Sequence, residues 1–224
     1  MAPLVWDSLE DRTYETGVDH AVLYLTDSVT GAYDEAHAWN GIVSVTESPS
    51  GAESNKMYAD NTVYANLQSA EEYGATIEAF TYPDAFGFAD GTIQPVPGLH
   101  FGQQRRQTFG LSYRTLYGNA LLGNDYGYKL HIIYGATAAP SERGYTTVND
   151  SPEMITFSWE LSTVAVPVVG EPSLKPVASI TLDSTVLGTA AMQAVEEVLY
   201  GEGATLAKLP PPAELITLIE GAGA

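Results

Sequence analysis

The sequence predicts a mainly β fold, an antiparallel β-sandwich or barrel with one flanking helix and a short C-terminal helix. Three observations predict it. Apolar residues recur with a period of two over many short runs rich in β-branched and aromatic side chains. Turn dipeptides separate several of those runs: Asp90–Gly91, Gly118–Asn119 and Gly123–Asn124. The period changes to that of a helix only beyond residue 188.

Taken in order, HAVLYL at 20–25 is the first strand and GIVSVTE at 41–47 the second. A short third, 62–67, puts Val63, Ala65 and Leu67 on one side. In 75–82, Ala75, Ile77 and Ala79 share one face and Thr76, Glu78, Phe80 and Tyr82 the other. Over 107–117, Phe109, Leu111, Tyr113 and Tyr117 alternate with Thr108, Gly110, Ser112 and Arg114. Tyr128, Leu130, Ile132 and Tyr134 stand opposite Lys129 and His131, and Ile155, Phe157, Trp159 and Leu161 alternate with polar residues. Ala178, Ile180 and Leu182 close the series. Strict alternation predicts sheets with one dry and one polar face. Pro95 and Pro97 keep 92–100 out of a sheet interior. Residues 26–40 and 48–61 read as long polar loops, which are functional or mobile in most compact domains. Beyond them, 189–200 places Ala191, Val195 and Val198 on a helical stripe that Gly201 ends. A second helix starts at Pro212 and runs to near Gly221. The whole reads as a single domain, 1–224. Residues 1–18 are an N-terminal arm, 19–186 the β core and 187–224 a helical tail.

The 224 residues are 45% apolar, enough for a core despite a formal charge of −19. Nine Lys and Arg against 28 Asp and Glu exclude a protein that wraps nucleic acid by neutralising phosphates. No cysteine is present, which excludes disulfides, thiolate metal sites and a cysteine nucleophile. The start, MAPLVWDSLEDR, lacks the basic and apolar pattern of a secretion signal, and no apolar run is long enough to span a membrane. Catalytic signatures such as G-x-S-x-G, the P-loop, H-E-x-x-H and G-x-G-x-x-G are all missing. His20, His37, His100 and His131 are scattered over different elements, and Ser112 and Ser158 occupy mid-strand positions of ordinary alternation. The pairs Glu71–Glu72 and Glu196–Glu197 read as solvated surface, Arg105–Arg106 as the anchor of a strand start, and Asp183–Thr185 as a helix cap. No catalytic residue, metal site or cofactor is expected.

The segments APLVWD (2–7), TYETGVDHAVLYL (13–25), WNGIVSVTE (39–47), TIEAFTYPDAF (76–86), FGLSYRTLYGN (109–119), DYGYKLHIIYGATAAPSERGYTTVNDSPEMITFSWEL (125–161), ASITLDST (178–185) and AVEEVLYG (194–201) resemble, in order, the major tail protein of siphophages. This is the tail tube subunit, in the form common among actinobacterial phages. The resemblance implies a β-sandwich or barrel of the phage tail-tube type. Six copies would form a ring, and rings would stack around the tape measure protein into a tube through which DNA leaves. Tail terminator and distal tail proteins would be further partners, and the chain would be a virion component assembled in the host cytoplasm. Some members carry an added immunoglobulin-like domain after the position that corresponds to residue 221, and none is expected in this chain.

Against that background, Trp6, Met57 and Tyr58 are candidate subunit contacts, with Leu4 and Val5 adding apolar character to the N-terminal arm. Glu78 and Glu160 are candidate lumen residues, because a channel for DNA must repel phosphates rather than hold them. DNA would pass without specific binding, and no membrane is involved. Strand edges left open in one subunit would pair with the next. The alternative is an acidic β-sandwich binding module for a carbohydrate or protein ligand, marked by a planar aromatic patch on a polar face; fourteen tyrosines make it arguable. A hydrolase using paired carboxylates has no supporting motif.

Overall fold

Every predicted strand reappears, and each pairing is antiparallel, in a computed structural model that describes residues 6–27, 29–148, 150, 153–203 and 205–223. The elements in chain order are β1 (Thr13–Leu25), β2 (Glu35–Ala38), β3 (Ile42–Glu47), β4 (Ser50–Gly51), β5 (Ser54–Ala59), β6 (Thr62–Gln68), β7 (Glu71–Glu72) and β8 (Gly74–Ala79). A short helical segment follows, ending in α1 (Gly87–Asp90). Then come β9 (Ile93–Val96), β10 (Leu99–Phe101), β11 (Phe109–Asn119), β12 (Gly123–Ala138), β13 (Phe157–Thr163) and β14 (Ser179–Asp183). The chain ends in α2 (Ser184–Leu187), α3 (Thr189–Tyr200) and α4 (Pro212–Ala222).

The main sheet runs β2-β1-β11-β12-β13-β8-β3, with β14 also paired to β12. Its two ends are one continuous stretch. Residues 35–38 pair with β1, and the Trp39 amide still donates to the Ala21 carbonyl at 2.8 Å. After Asn40 the partner changes: the Phe80 amide donates to the Gly41 carbonyl at 2.8 Å, and 42–47 pair with β8. Gly41 makes this corner with φ +82°, where a side chain would also press on Thr81. The stretch 35–47 therefore links the two ends of the sheet, which curls into a barrel: the loop predicted at 26–40 contains β2, which bridges the seam, while β14 pairs with β12 alone among the described strands and leaves its other edge open.

The barrel interior holds Leu23, Trp39, Ile77, Phe86, Phe109, Leu111, Ile133 and Trp159. The aromatic rings meet mostly edge-on, as with Phe86 and Trp159 at 5.0 Å and 74°. A second cluster lies on the opposite face of the central strands. There Val22, Tyr24, Leu130, Ile132 and Tyr134 pack under Met192, Val195 and Leu199 of α3 and Leu215 of α4. The segments 21–25 of β1, 109–113 of β11 and 132–136 of β12 are thus dry on both faces, contrary to the one-sided expectation. Ser112 follows: its predicted polar face is covered, and it is buried with Tyr24 Oη 3.2 Å from its hydroxyl. The Tyr24 hydroxyl donates to the Leu199 carbonyl (2.9 Å) and Tyr134 to Pro210 (2.8 Å), which tie the helical tail to the sheet. The buried stripe of α3 is Ala191, Met192, Val195 and Leu199 rather than one ending at Val198. Asp183 caps α2 by accepting from the Thr185 amide at 2.9 Å.

Gly135 marks where β12 changes partner, from β14 over 129–133 to β13 over 136–138. Its φ is +59°, its amide donates to the Tyr33 hydroxyl at 3.0 Å, and a side chain there would run into the Val164 carbonyl. Of the basic doublet, Arg106 pairs with Asp90 (3.4 Å) and donates to the Ala138 carbonyl (2.9 Å), whereas Arg105 is exposed.

Candidate assembly surface

Between β3 and β8 the chain does not loop: it leaves the barrel as a two-stranded arm. Ser50–Gly51 pair with Glu71–Glu72, and Ser54–Ala59 pair with Thr62–Gln68. The turn is Asp60–Asn61, with φ +50° and +60°. Positive φ at both central residues belongs to a type I′ hairpin turn, in which Asn and Asp are tolerated. From Gly51 to the tip the arm reaches about 30 Å at the usual strand rise. The predicted loop 48–61 is therefore one half of a hairpin. The strand expected at 62–67 is its other half and lies outside the core.

All of β5 is exposed, and all of β6 apart from Ala65. By register, Asn55, Met57, Ala65 and Leu67 share one face, and Ser54, Lys56, Asn66 and Gln68 the other. A bulge between Met57 and Tyr58 then brings Tyr58 opposite Val63. Tyr58 is 69% exposed and Tyr64 78%. The ribbon is amphipathic, and none of its residues belongs to either hydrophobic cluster among the described residues. Of the candidate contacts, Met57 and Tyr58 lie here. Trp6 is elsewhere and 76% exposed, and Leu4 and Val5 fall outside the described residues.

The base of the arm is tied down. The Tyr113 hydroxyl donates to Glu47 Oε1 at 3.1 Å, just where β3 passes into the arm. The His131 ring stacks on Tyr113 at 4.7 Å. It also meets Thr115 (2.9 Å) and Glu15 (3.3 Å). Burial lowers the His131 pKa against the pull of these carboxylates, so the ring is neutral over a wider pH range. Burial also opposes ionisation of Glu15, but hydrogen bonds from Lys129 (2.8 Å) and Thr115 outweigh it and lower its carboxyl pKa. The bidentate Arg114 guanidinium, at 2.7 and 2.8 Å, does the same for Asp19.

Glu78 and Glu160 come together on the outer face of the β3–β8–β13 wing, where cross-strand neighbours are Ser44, Thr46, Thr76 and Ser158. Ser44 donates to Glu78 at 3.1 Å. These positions carry no aromatic and no basic residue, so the face is a hydroxyl-rich, negative sheet surface. The other histidines have separate neighbours: His20 lies by Asp19, His37 by Glu35 and His100 by Gln94. Among the described residues no group of His, Asp and Glu is placed to hold a metal ion. No described helix is long and apolar enough to cross a membrane. The sequence signal for the arm was present in the Asp60–Asn61 pair flanked by alternating residues, but the polar composition of 48–56 hid it.

No protein-family model matches the chain, and no curated protein matches it. Among solved structures it is similar to a chain of the anti-feeding prophage baseplate, determined by cryo-EM with 6-fold symmetrisation. That match has 11% identity and a TM-score of 0.38, covering 80% of this chain and 97% of that one. It is also similar to a chain of the PVC sheath-tube complex, an extracellular contractile injection system in its extended state. There the identity is 12% and the TM-score 0.35, covering 73% of this chain and 88% of that one. Likenesses this loose carry no functional argument.

Proposed function

We propose that this chain is a structural subunit that self-assembles into stacked, sixfold rings forming a phage tail tube. The observation that carries the reading is the free-standing arm. A hairpin with an unpartnered apolar face costs free energy in a monomer and regains it against another copy. The sequence resemblance along nearly the whole chain supplies the ring and the tube. The negative outer face of the wing, with Glu78 and Glu160, suits a lumen that repels DNA phosphates and lets the genome pass. In this reading the tape measure protein fills the tube before ejection, terminator and distal tail proteins cap it, and no catalysis takes place. Exposed Phe80, two residues beyond Glu78, is the one aromatic that follows these positions on that face among the described residues, less than the planar patch that a carbohydrate-binding module would use.

The test is negative-stain microscopy and light scattering across a concentration series. Rings or tubes are expected, and they should disappear when residues 55–67 are replaced by Asn-Gly, which joins the paired Ser54 and Gln68 by a two-residue turn. A purified chain that stays monomeric at every concentration, or tubes that form equally well without the arm, would overturn the reading.

A further inference from the structure

A second unpartnered apolar feature lies at the opposite end of the sequence from the arm. Between α4, β14 and the 166–177 connection runs a groove of ≈ 320 Å³, walled by Val177, Ile180, Leu182, Leu215, Ile216 and Ile219. Its volume is at the low end of the roughly 300–1,000 Å³ of small-ligand pockets, which suits one or two inserted side chains rather than a folded domain. Lys175 is the one charged residue among its described lining residues. In this protein that is unusual. Arg12, Arg106, Arg114, Lys129, Arg143 and Lys208 all make ion pairs with their own chain. Lys56, Arg105 and Lys175 make none among the described residues, and Lys175 borders this apolar groove.

We propose that this groove receives the tip of the β5–β6 arm from a second copy, with Tyr58 or Tyr64 entering it and Asp60 meeting Lys175. The proposal rests on the assembly reading above and gives the arm its seat. The tip has the complementary chemistry: exposed aromatic side chains beside a turn whose Asp60 makes no ion pair among the described residues. A unit charge pair at the edge of an apolar groove is less screened than one on open surface, so it fixes register as well as attracting the arm. An aromatic side chain offers large apolar area at little cost in side-chain entropy.

The experiment uses the full-length chain and reads the concentration at which tubes appear. Asp60→Lys and Lys175→Glu should each raise it roughly tenfold, the scale of one lost interfacial charge pair. The double exchange should return it to within about threefold, because coupled residues are non-additive. Ile216→Arg should block assembly by filling the groove. Lys175→Glu, on an exposed side chain, carries the test if Ile216→Arg impairs folding. Normal assembly of Lys175→Glu and Ile216→Arg, with assembly still lost when the arm is removed, overturns the seat and leaves the tube reading standing. A defect in Lys175→Glu that Asp60→Lys does not rescue assigns the groove to another segment, such as the one bearing Trp6, and also overturns the proposal. Failure of unaltered protein to assemble at all sinks the tube reading itself.

Discussion

The strands β11 and β5 are both built from alternating sequence, yet their surroundings are opposite. Seven of the eleven residues of β11 are buried and none is exposed, whereas all six residues of β5 are exposed. The first lies between the barrel interior and the α3–α4 layer; the second stands in an arm that touches no core. Alternation therefore tells that a segment is a strand without telling whether its apolar side has a partner in the same chain. Burial on both faces concentrates stability in β1, β11 and β12. Exposure on both faces leaves the arm free to act on other molecules at little cost to folding.

The largest expected effect tests the barrel side of this contrast. Trp159→Ala, which empties the centre of the aromatic cluster, should cost about 3–5 kcal/mol by denaturant unfolding. Gly135→Ala should come next, at about 1–3 kcal/mol, from the strained φ and the clash with Val164. Acid should act on the sheet before the arm. The carboxyls of Asp19 and Glu15 and the His131 ring all have pKa values below their ordinary ones. The unfolded chain then binds more protons as pH falls, so the melting temperature should drop first below the usual histidine range and again through the carboxylate range. Asp19→Asn should flatten the second fall; an unchanged slope would remove the Arg114 pair as its source. The smallest effect is the most telling one. Tyr58→Ser with Tyr64→Ser should shift unfolding by no more than about 0.5 kcal/mol, as expected for exposed sites. A cost near that of Trp159→Ala would show that the arm packs within its own subunit and would erase the contrast.

The periodicity of 20–25, 75–82, 107–117 and 128–136 located strands, although β8 stops at Ala79 and β11 begins at Phe109, because their side chains bond and pack locally on a pleat. The α3 helix was legible to its ends at 189 and 200, since its stop, Gly201, lies next to it in the chain. Six short strands escaped: β2, β4, β5, β7, β9 and β10. In β2 the sequence EAHA carries no strong pattern, and only pairing with β1 makes it a strand. The sequence 48–61 looked like a loop because its residues are polar, and polarity reports exposure rather than backbone conformation. Of the assembly candidates, Met57 and Tyr58 could be named early as apolar residues in a polar stretch. Tyr64, Asp60 and Lys175 could not, since their interest arises from where the fold puts them.

What the sequence by itself determined is the class: an acidic, cysteine-free, mainly antiparallel β chain with a helical tail, fixed by local periodicity and turn chemistry. What only the tertiary structure decided is which faces are covered. The barrel seam at Asn40–Gly41, the double burial of β11 and the solitude of the arm all depend on contacts between residues far apart in the chain. Side-chain alternation has the same form whether the surface opposite is a helix, another sheet or water.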